Sequence, residues 1–187
     1  VEMAILLLKA GADINAKKAD GSTPLYLSVD NNKPKTFSAL LKAGADVNMA
    51  NKNGWTPLME AVNNNQKIMV TLLIKEGVDV NMANNDGWSA LHLTVNKSDK
   101  PEHDYADLAN LLIKSGADMN LKNSYGYTPL YLSVSNNKPK TFAALLEAGA
   151  NVNLAGKDDG WTPLIMAVNY NQKAMVTQLI KAGADVN

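Results

Sequence analysis

Catalytic chemistry is usually carried by histidine, cysteine and arginine together with positioned carboxylates, and this chain is poor in the first three. Cysteine is absent, so thiol nucleophiles and disulfides are excluded. All 18 basic residues are lysine, so there is no guanidinium fork for bidentate recognition of phosphate, carboxylate or guanine. Histidine occurs twice, at His92 and His103. His103 stands beside Glu102 and Asp104 in the stretch KSDKPEHD, where three ligands for a divalent ion are conceivable. Proline, lysine and acidic residues in a row are, however, the composition of a solvated loop. The acidic residues Asp13, Asp46, Asp79, Asp118 and Asp185 each occupy the same place in a recurring segment of the type G-x-D-x-N, which marks turn residues rather than paired catalytic carboxylates. No catalytic, cofactor or metal site is therefore expected. The sharper signal is aromatic: Trp55, Trp88, Tyr127 and Trp161 each directly follow a glycine, with Ser22 alone breaking the series. Such a row is what an interface hot spot prefers, and it is equally what packing of each ring on the adjacent turn would produce.

The elements that must position these residues repeat. GADIN at Gly11 returns as GADVN at Gly44, GVDVN at Gly77, GADMN at Gly116, GANVN at Gly149 and GADVN at Gly183. About ten residues after each of the first five comes a second signature: DGSTPLYLSV, NGWTPLMEAV, DGWSALHLTV, YGYTPLYLSV and DGWTPLIMAV. In the unit from Lys18 to Ala50, Thr23 followed by Pro24 predicts an N-cap with proline at the first helical position. A short helix through Leu25 and Val29 follows, and Asn31 and Asn32 interrupt it, asparagine tolerating the left-handed region. Pro34 opens a second helix with Phe37, Leu40 and Leu41 at i, i+3, i+4, and Gly44 at C′ ends it. The stripe returns as Val70, Leu73 and Ile74; Ala109, Leu112 and Ile113; Phe142, Leu145 and Leu146; and Val176, Leu179 and Ile180. Lys9, Lys42, Lys75, Lys114 and Lys181 fall in the last turn of these second helices, where the helix dipole favours a cation; Glu147 breaks the ladder.

This pattern, G-x-T-P-L, an apolar segment, then G-A-D-V-N, resembles the ankyrin repeat over almost the whole chain. The resemblance implies an all-α, ankyrin-type α-solenoid of stacked helix-turn-helix repeats with projecting hairpin-like turns, elongated and slightly curved. It also implies a structural role for His92, in SALHL, as a residue that hydrogen-bonds neighbouring turns. Tyr26, Met59, Tyr131 and Ile165 stand there in the other repeats. The family usually has glycine where Asn32, Asn65, Asn137 and Asn171 stand. Residues 1–187 are read as a single solenoid: 1–17 supply the second helix and turn of a preceding repeat, and 18–50, 51–83, 84–122, 123–155 and 156–187 are repeats. The turn glycines at 21, 54, 87, 126 and 160 are spaced by 33, 33, 39 and 34 residues, placing one insertion within Lys97 to Asp104 and another near Lys157 to Asp159. Pro24 to Asn81 realigns on Pro129 to Asn187 with about three-quarters of positions identical. The larger unit is thus a triplet of repeats, duplicated as a block. The parent protein is expected to continue in both directions.

The function implied is a non-enzymatic protein-interaction scaffold, with hairpin tips and first helices presenting a concave surface to a protein partner. Candidate contact residues are Trp55, Trp88, Tyr127 and Trp161, the tip residues Asp20, Lys52, Asn53, Asn85, Asp86, Tyr125 and Asp159, and Asn64 and Tyr170 just after first helices. Two other readings stay open: a targeting or regulatory segment of a larger enzyme, channel or secreted effector, and an architectural spacer. Acidic and basic residues balance at 18 each, so no global field favours nucleic acid or an anionic membrane. The longest apolar run, Ala4 to Leu8, is too short to span a bilayer. A monomer in the cytoplasm is expected.

Overall fold

The computed structural model describes residues 11–96, 105–157 and 160–187. The leading helix expected before Gly11, with Lys9, lies outside the described residues. So do the KSDKPEHD insertion with Glu102, His103 and Asp104, and the tip residues Asp158 and Asp159.

The described residues form ten helices and no extended strand, an all-α fold. They are α1 (Pro24–Asp30), α2 (Pro34–Lys42), α3 (Pro57–Asn63), α4 (Lys67–Lys75), α5 (Ala90–Leu93), α6 (Ala106–Lys114), α7 (Pro129–Ser135), α8 (Pro139–Glu147), α9 (Pro163–Asn169) and α10 (Lys173–Lys181). None is long and apolar enough to cross a membrane. The chain divides into two compact units, 1–85 and 86–187. In the first, α1 packs on α2 and α3, and α3 on α4. In the second, α5, α7 and α9 pack in series, while α6, α8 and α10 back them and α6 packs on α8.

Threonine before proline starts the first helices as expected. The side chains of Thr23, Thr56, Thr128 and Thr162 accept hydrogen bonds from the amides of Tyr26, Met59, Tyr131 and Ile165 at 3.2–3.3 Å. Each supplies an acceptor to an amide that has no helical partner. First and second helices then end in one motif with different residues. After α1, the amides of Asn32 and Lys33 reach the carbonyls of Val29 and Ser28; after α2, those of Gly44 and Ala45 reach Leu41 and Leu40. The residue at C′ is left-handed in both cases, at φ 48° for Asn32 and 83° for Gly44. Asn65, Asn137 and Asn171 repeat the asparagine form, with φ of 50–54°.

The second-helix stripes hold with a rotation. Phe37, Leu40, Val70, Leu73, Ala109, Leu112, Phe142, Leu145 and Leu179 are buried, but the third member of each stripe is only half-buried and Ile180 is exposed. The core instead takes in the residue before four of the five stripes, Met69, Leu108, Thr141 and Met175, while Thr36 before the first is half-buried. In those helices the buried arc sits one residue nearer the helix start than the apolar triplet suggests, as side chains on a helix lean toward its start.

The recurring G-x-D-x-N segment is a two-part stitch. Asp46 Oδ1 accepts the amide of Asn48 at 2.8 Å, closing an Asx turn, and Asn48 Oδ1 accepts the amide of Asp79 in the next repeat at 2.9 Å. Asn15 to Asp46, Asn120 to Asn151 and Asn153 to Asp185 repeat the second bond. The acidic ladder is therefore structural, and the asparagine beside it carries the register between repeats.

Candidate functional site

The hairpin turns hold the aromatic positions rigidly. In the first unit the side-chain oxygen of Asn51 accepts the amides of Asn53 and Trp55 at 2.9 and 3.0 Å, and the amide of Asn51 donates to the carbonyl of Trp55. Asn123 does the same for Tyr125 and Tyr127 in the second unit. Consecutive hairpins are then tied by their backbones: Lys52 to Asp20 and Asn85 to Asn53 in the first unit, Ser124 to Asp86 and Lys157 to Tyr125 in the second. The approach is so close at Gly54 that a Cβ would lie 2.8 Å from Asn84 Cα and from the amide nitrogen of Asn85.

Trp55, Trp88, Tyr127 and Trp161 are all half-buried, with part of each ring held against the protein and part open to solvent. Their neighbours differ. Tyr127 lies flat on Tyr131 of α7, centroids 4.5 Å apart at 2°, and Tyr125 extends the stack at 6.2 Å and 22°. Tyr125 is 57% exposed and forms its open end. Trp88 meets His92 at 5.8 Å and 63°.

His92 is fully buried and makes the contacts expected of a structural histidine. The Ser89 amide donates to its Nδ1 at 3.2 Å, with the Ser89 hydroxyl 2.8 Å from the same nitrogen, and Nε2 lies 3.1 Å from the Tyr127 carbonyl. A carbonyl only accepts, so the proton sits on Nε2 and the ring is neutral. Burial pulls its pKa down to about 4, and the opposing hydrogen bonds to the Tyr127 and Leu121 backbones do not offset it.

Tyr26 is the counterpart of Tyr131 in the first copy of the duplicated block, and its environment is the reverse. Its hydroxyl donates to Glu60 Oε2 at 2.7 Å, and Asn64 Nδ2 donates to Glu60 Oε1 at 2.8 Å. Burial first and the Glu60 carboxylate second raise the phenol pKa. In the second copy Ser22, Glu60 and Asn64 become Tyr127, Met166 and Tyr170. The same backbone thus carries a polar network on one unit and stacked aromatics on the other. Neither Tyr26 nor Glu60 stands out in a single repeat; the signal lies in comparing the two blocks position by position.

The remaining candidates scatter around this frame. Asp20 is exposed and ion-paired with Lys18 at 2.9 Å; the Lys18 hydrogen bond, then the Ser22 amide, hold its carboxyl down at about 2. Asn85 spends its side-chain amide on the Lys52 carbonyl at 3.0 Å. Lys52, Asn53 and Asp86 are exposed tips, and Tyr170, 51% exposed, caps the end of α9. No group of three His, Cys, Asp or Glu able to hold a metal is present among the described residues.

Helix pairs stacked through hydrogen-bonded hairpins, with threonine-proline starts and glycine stops, define a repeat protein. The family model described as ankyrin repeats (3 copies) matches residues 35–103 and 100–187. The chain belongs to the ankyrin repeat family. A crystal structure of an ankyrin repeat domain from Acinetobacter baumannii AYE is similar, with a TM-score of 0.89 at 28% identity, covering 98% of this chain and 93% of that one. Comparison with the curated proteins finds no match. Ankyrin repeats are generally protein-interaction modules.

Proposed function

We propose that this chain is a non-enzymatic protein-interaction scaffold whose hairpin tips and first helices present a concave surface to a protein partner. The supporting observation is the rigid presentation of Trp55, Trp88, Tyr127 and Trp161. Each ring follows a left-handed glycine and is half-buried, and the turns of Trp55 and Tyr127 are fixed by an asparagine side chain. Rings held in one place lose little entropy on binding, which is why such residues dominate interface energies. Tyr125, Tyr170, Asn64, Asp20, Lys52, Asn53, Asn85, Asp86 and Asp159 belong to the same proposed face, and the second helices form its back.

The test is selection of binders from a displayed protein library on the immobilised chain, followed by mapping. Alanine at Trp88 and Trp161 should weaken selected binders at least tenfold, while glutamate at Lys42 and Lys181, exposed on second helices, leaves them unchanged. Binders that respond only to the second-helix changes would overturn the assignment of faces.

A further inference from the structure

We infer that the end face of the last repeat, formed by α9, α10 and the turn after them, is a docking face for one further helix-turn-helix repeat of the kind at 84–122, carried on the same polypeptide. Ile165, Val168, Ile180 and Val186 lie in this repeat and are 47%, 60%, 50% and 66% exposed. One repeat earlier in the same unit, the residues at those places, Tyr131, Val134, Leu146 and Val152, are buried or half-buried, and α7 packs on α9. Tyr26 and Val29 are buried in the same way where α1 packs on α3. A repeat that caps a solenoid has a polar outer face, whereas this one is aliphatic at all four positions. Leu164, Ile165, Val168, Asp185, Val186 and Asn187 line much of a hollow of about 410 Å³.

The polar groups of the face fit a repeat rather than any apolar partner. The carbonyls of Val29 and Val134 each accept a turn amide, from Asn32 and Asn137, and also a side-chain amide of the following repeat, from Gln66 and Gln172, both at 2.9 Å. The Val168 carbonyl has the turn bond, from Asn171, but no side-chain donor among the described residues. Asn187 stands where Asn15, Asn48, Asn120 and Asn153 each accept an amide 31 or 32 residues further along the chain. That constant interval assigns the occupant to the same polypeptide. The carboxylate of this turn, Asp185, is held by the Asn187 amide at 3.0 Å and closes an Asx turn as Asp46 does.

Which repeat fits depends on the residue that meets Ile165. In the first unit the corresponding Tyr26 meets Glu60, its hydroxyl donating at 2.7 Å. Ile165 has no donor, so a repeat with glutamate at that place would bury a carboxylate against an aliphatic side chain. In 84–122 the place is taken by Leu93. The duplicated block gives the same order, since 156–187 corresponds to 51–83 and 84–122 follows 51–83 in the chain.

The experiment is urea unfolding, followed by far-ultraviolet circular dichroism, of the full chain extended after Asn187 by a second copy of residues 82–120. The extension should raise the midpoint by about 0.5 M or more, because it adds a nearest-neighbour interface. Extension by a copy of 49–81, which brings Glu60 to Ile165, should give less than half that gain, and Glu60→Leu in the appended copy should restore it. Ile165→Ser combined with Val168→Ser should leave the unextended chain within about 0.2 M of its midpoint, both residues being exposed there, yet remove most of the gain from 82–120. No gain from 82–120, an equal gain from 49–81, or a gain that survives the serine pair overturns the inference. Sedimentation of the unextended chain tests the other occupant. A monomer is expected; a dimer that the serine pair dissociates would assign the face to a second copy and overturn the inference.

Discussion

Gly44 and Gly54 separate two reasons for using glycine. Both are left-handed, at φ 83° and 78°, but a Cβ on Gly44 would meet nothing within 4 Å, whereas one on Gly54 would run into the Asn84–Asn85 backbone. Gly44→Ala therefore costs only the left-handed penalty, about 1–2 kcal/mol, and Gly54→Ala costs that plus a separation of the hairpins. Chemical denaturation should place Gly54→Ala clearly lower in midpoint; equal losses would mean the contact between turns is unimportant. His92 gives a second residue-scale prediction. Its pKa falls from 6.5 in the unfolded chain to about 4 in the folded one, so between those values the unfolded state holds the extra proton. Stability is fully present above pH 6.5 and declines as the pH falls toward 4, by about 3 kcal/mol in total. Asp118 is the charged group that opposes this shift. His92→Asn should flatten the stability profile across that window, and a parallel profile would refute the assignment. Much at this scale was legible: the threonine caps, the left-handed asparagines and the Asx-turn aspartates follow from residue type and position. Asn51, Asn123 and the stitching asparagines Asn15, Asn48 and Asn153 were not, because their acceptors matter only once a turn or a neighbouring repeat is in place.

Among the elements, α5 is the exception that explains the rule. It has four residues where the other first helices have seven, and it lacks the threonine-proline start, with Ser89 and Ala90 in that place. His92 closes the gap by accepting the Ser89 amide and bonding to the next hairpin, work that a threonine cap and a longer helix share elsewhere. The third unit of the triplet thus joins Ser89 and His92 in a reciprocal cap, with the imidazole also tied to the next hairpin. Thr128→Ala, which removes one of several supports of α7, should cost about 1 kcal/mol, the usual value of a lost N-cap. Substituting Leu at His92, which leaves the Tyr127 carbonyl without its donor and opens the cap, should cost more, about 2–3 kcal/mol. Urea unfolding of the two variants decides the order. The second-helix stripes show where pattern reading stops: it found which residues are apolar but set the buried arc one residue too late in most of them, since side chains on a helix lean toward its start.

For the molecule as a whole, the sequence pattern argued for one array, in which each repeat is stabilised by its neighbours and neither end is privileged. The fold divides into units 1–85 and 86–187, and the division falls between Asn85 and Asp86, inside the turn of the third repeat rather than between repeats. We propose that the two units nonetheless unfold as a single body, because each repeat of such an array relies on its neighbours for the surface that buries its helix stripes. In a nearest-neighbour array each interface adds to the stability of both repeats it joins, so dividing the chain removes stability from each half. The full chain should therefore show one denaturant transition, with a midpoint above that of either fragment and a slope larger than either, since the slope follows the surface exposed in one step. The measurement is urea unfolding of 1–187, 1–85 and 86–187, followed both by far-ultraviolet circular dichroism and by tryptophan fluorescence. Trp55 lies in the first unit and Trp88 and Trp161 in the second, so Trp55→Phe and the paired Trp88→Phe, Trp161→Phe variants report each unit separately. Coincident curves from the two variants would establish one cooperative body. Two separated transitions, each matching its isolated fragment, would show that the duplicated pattern has produced two independent domains.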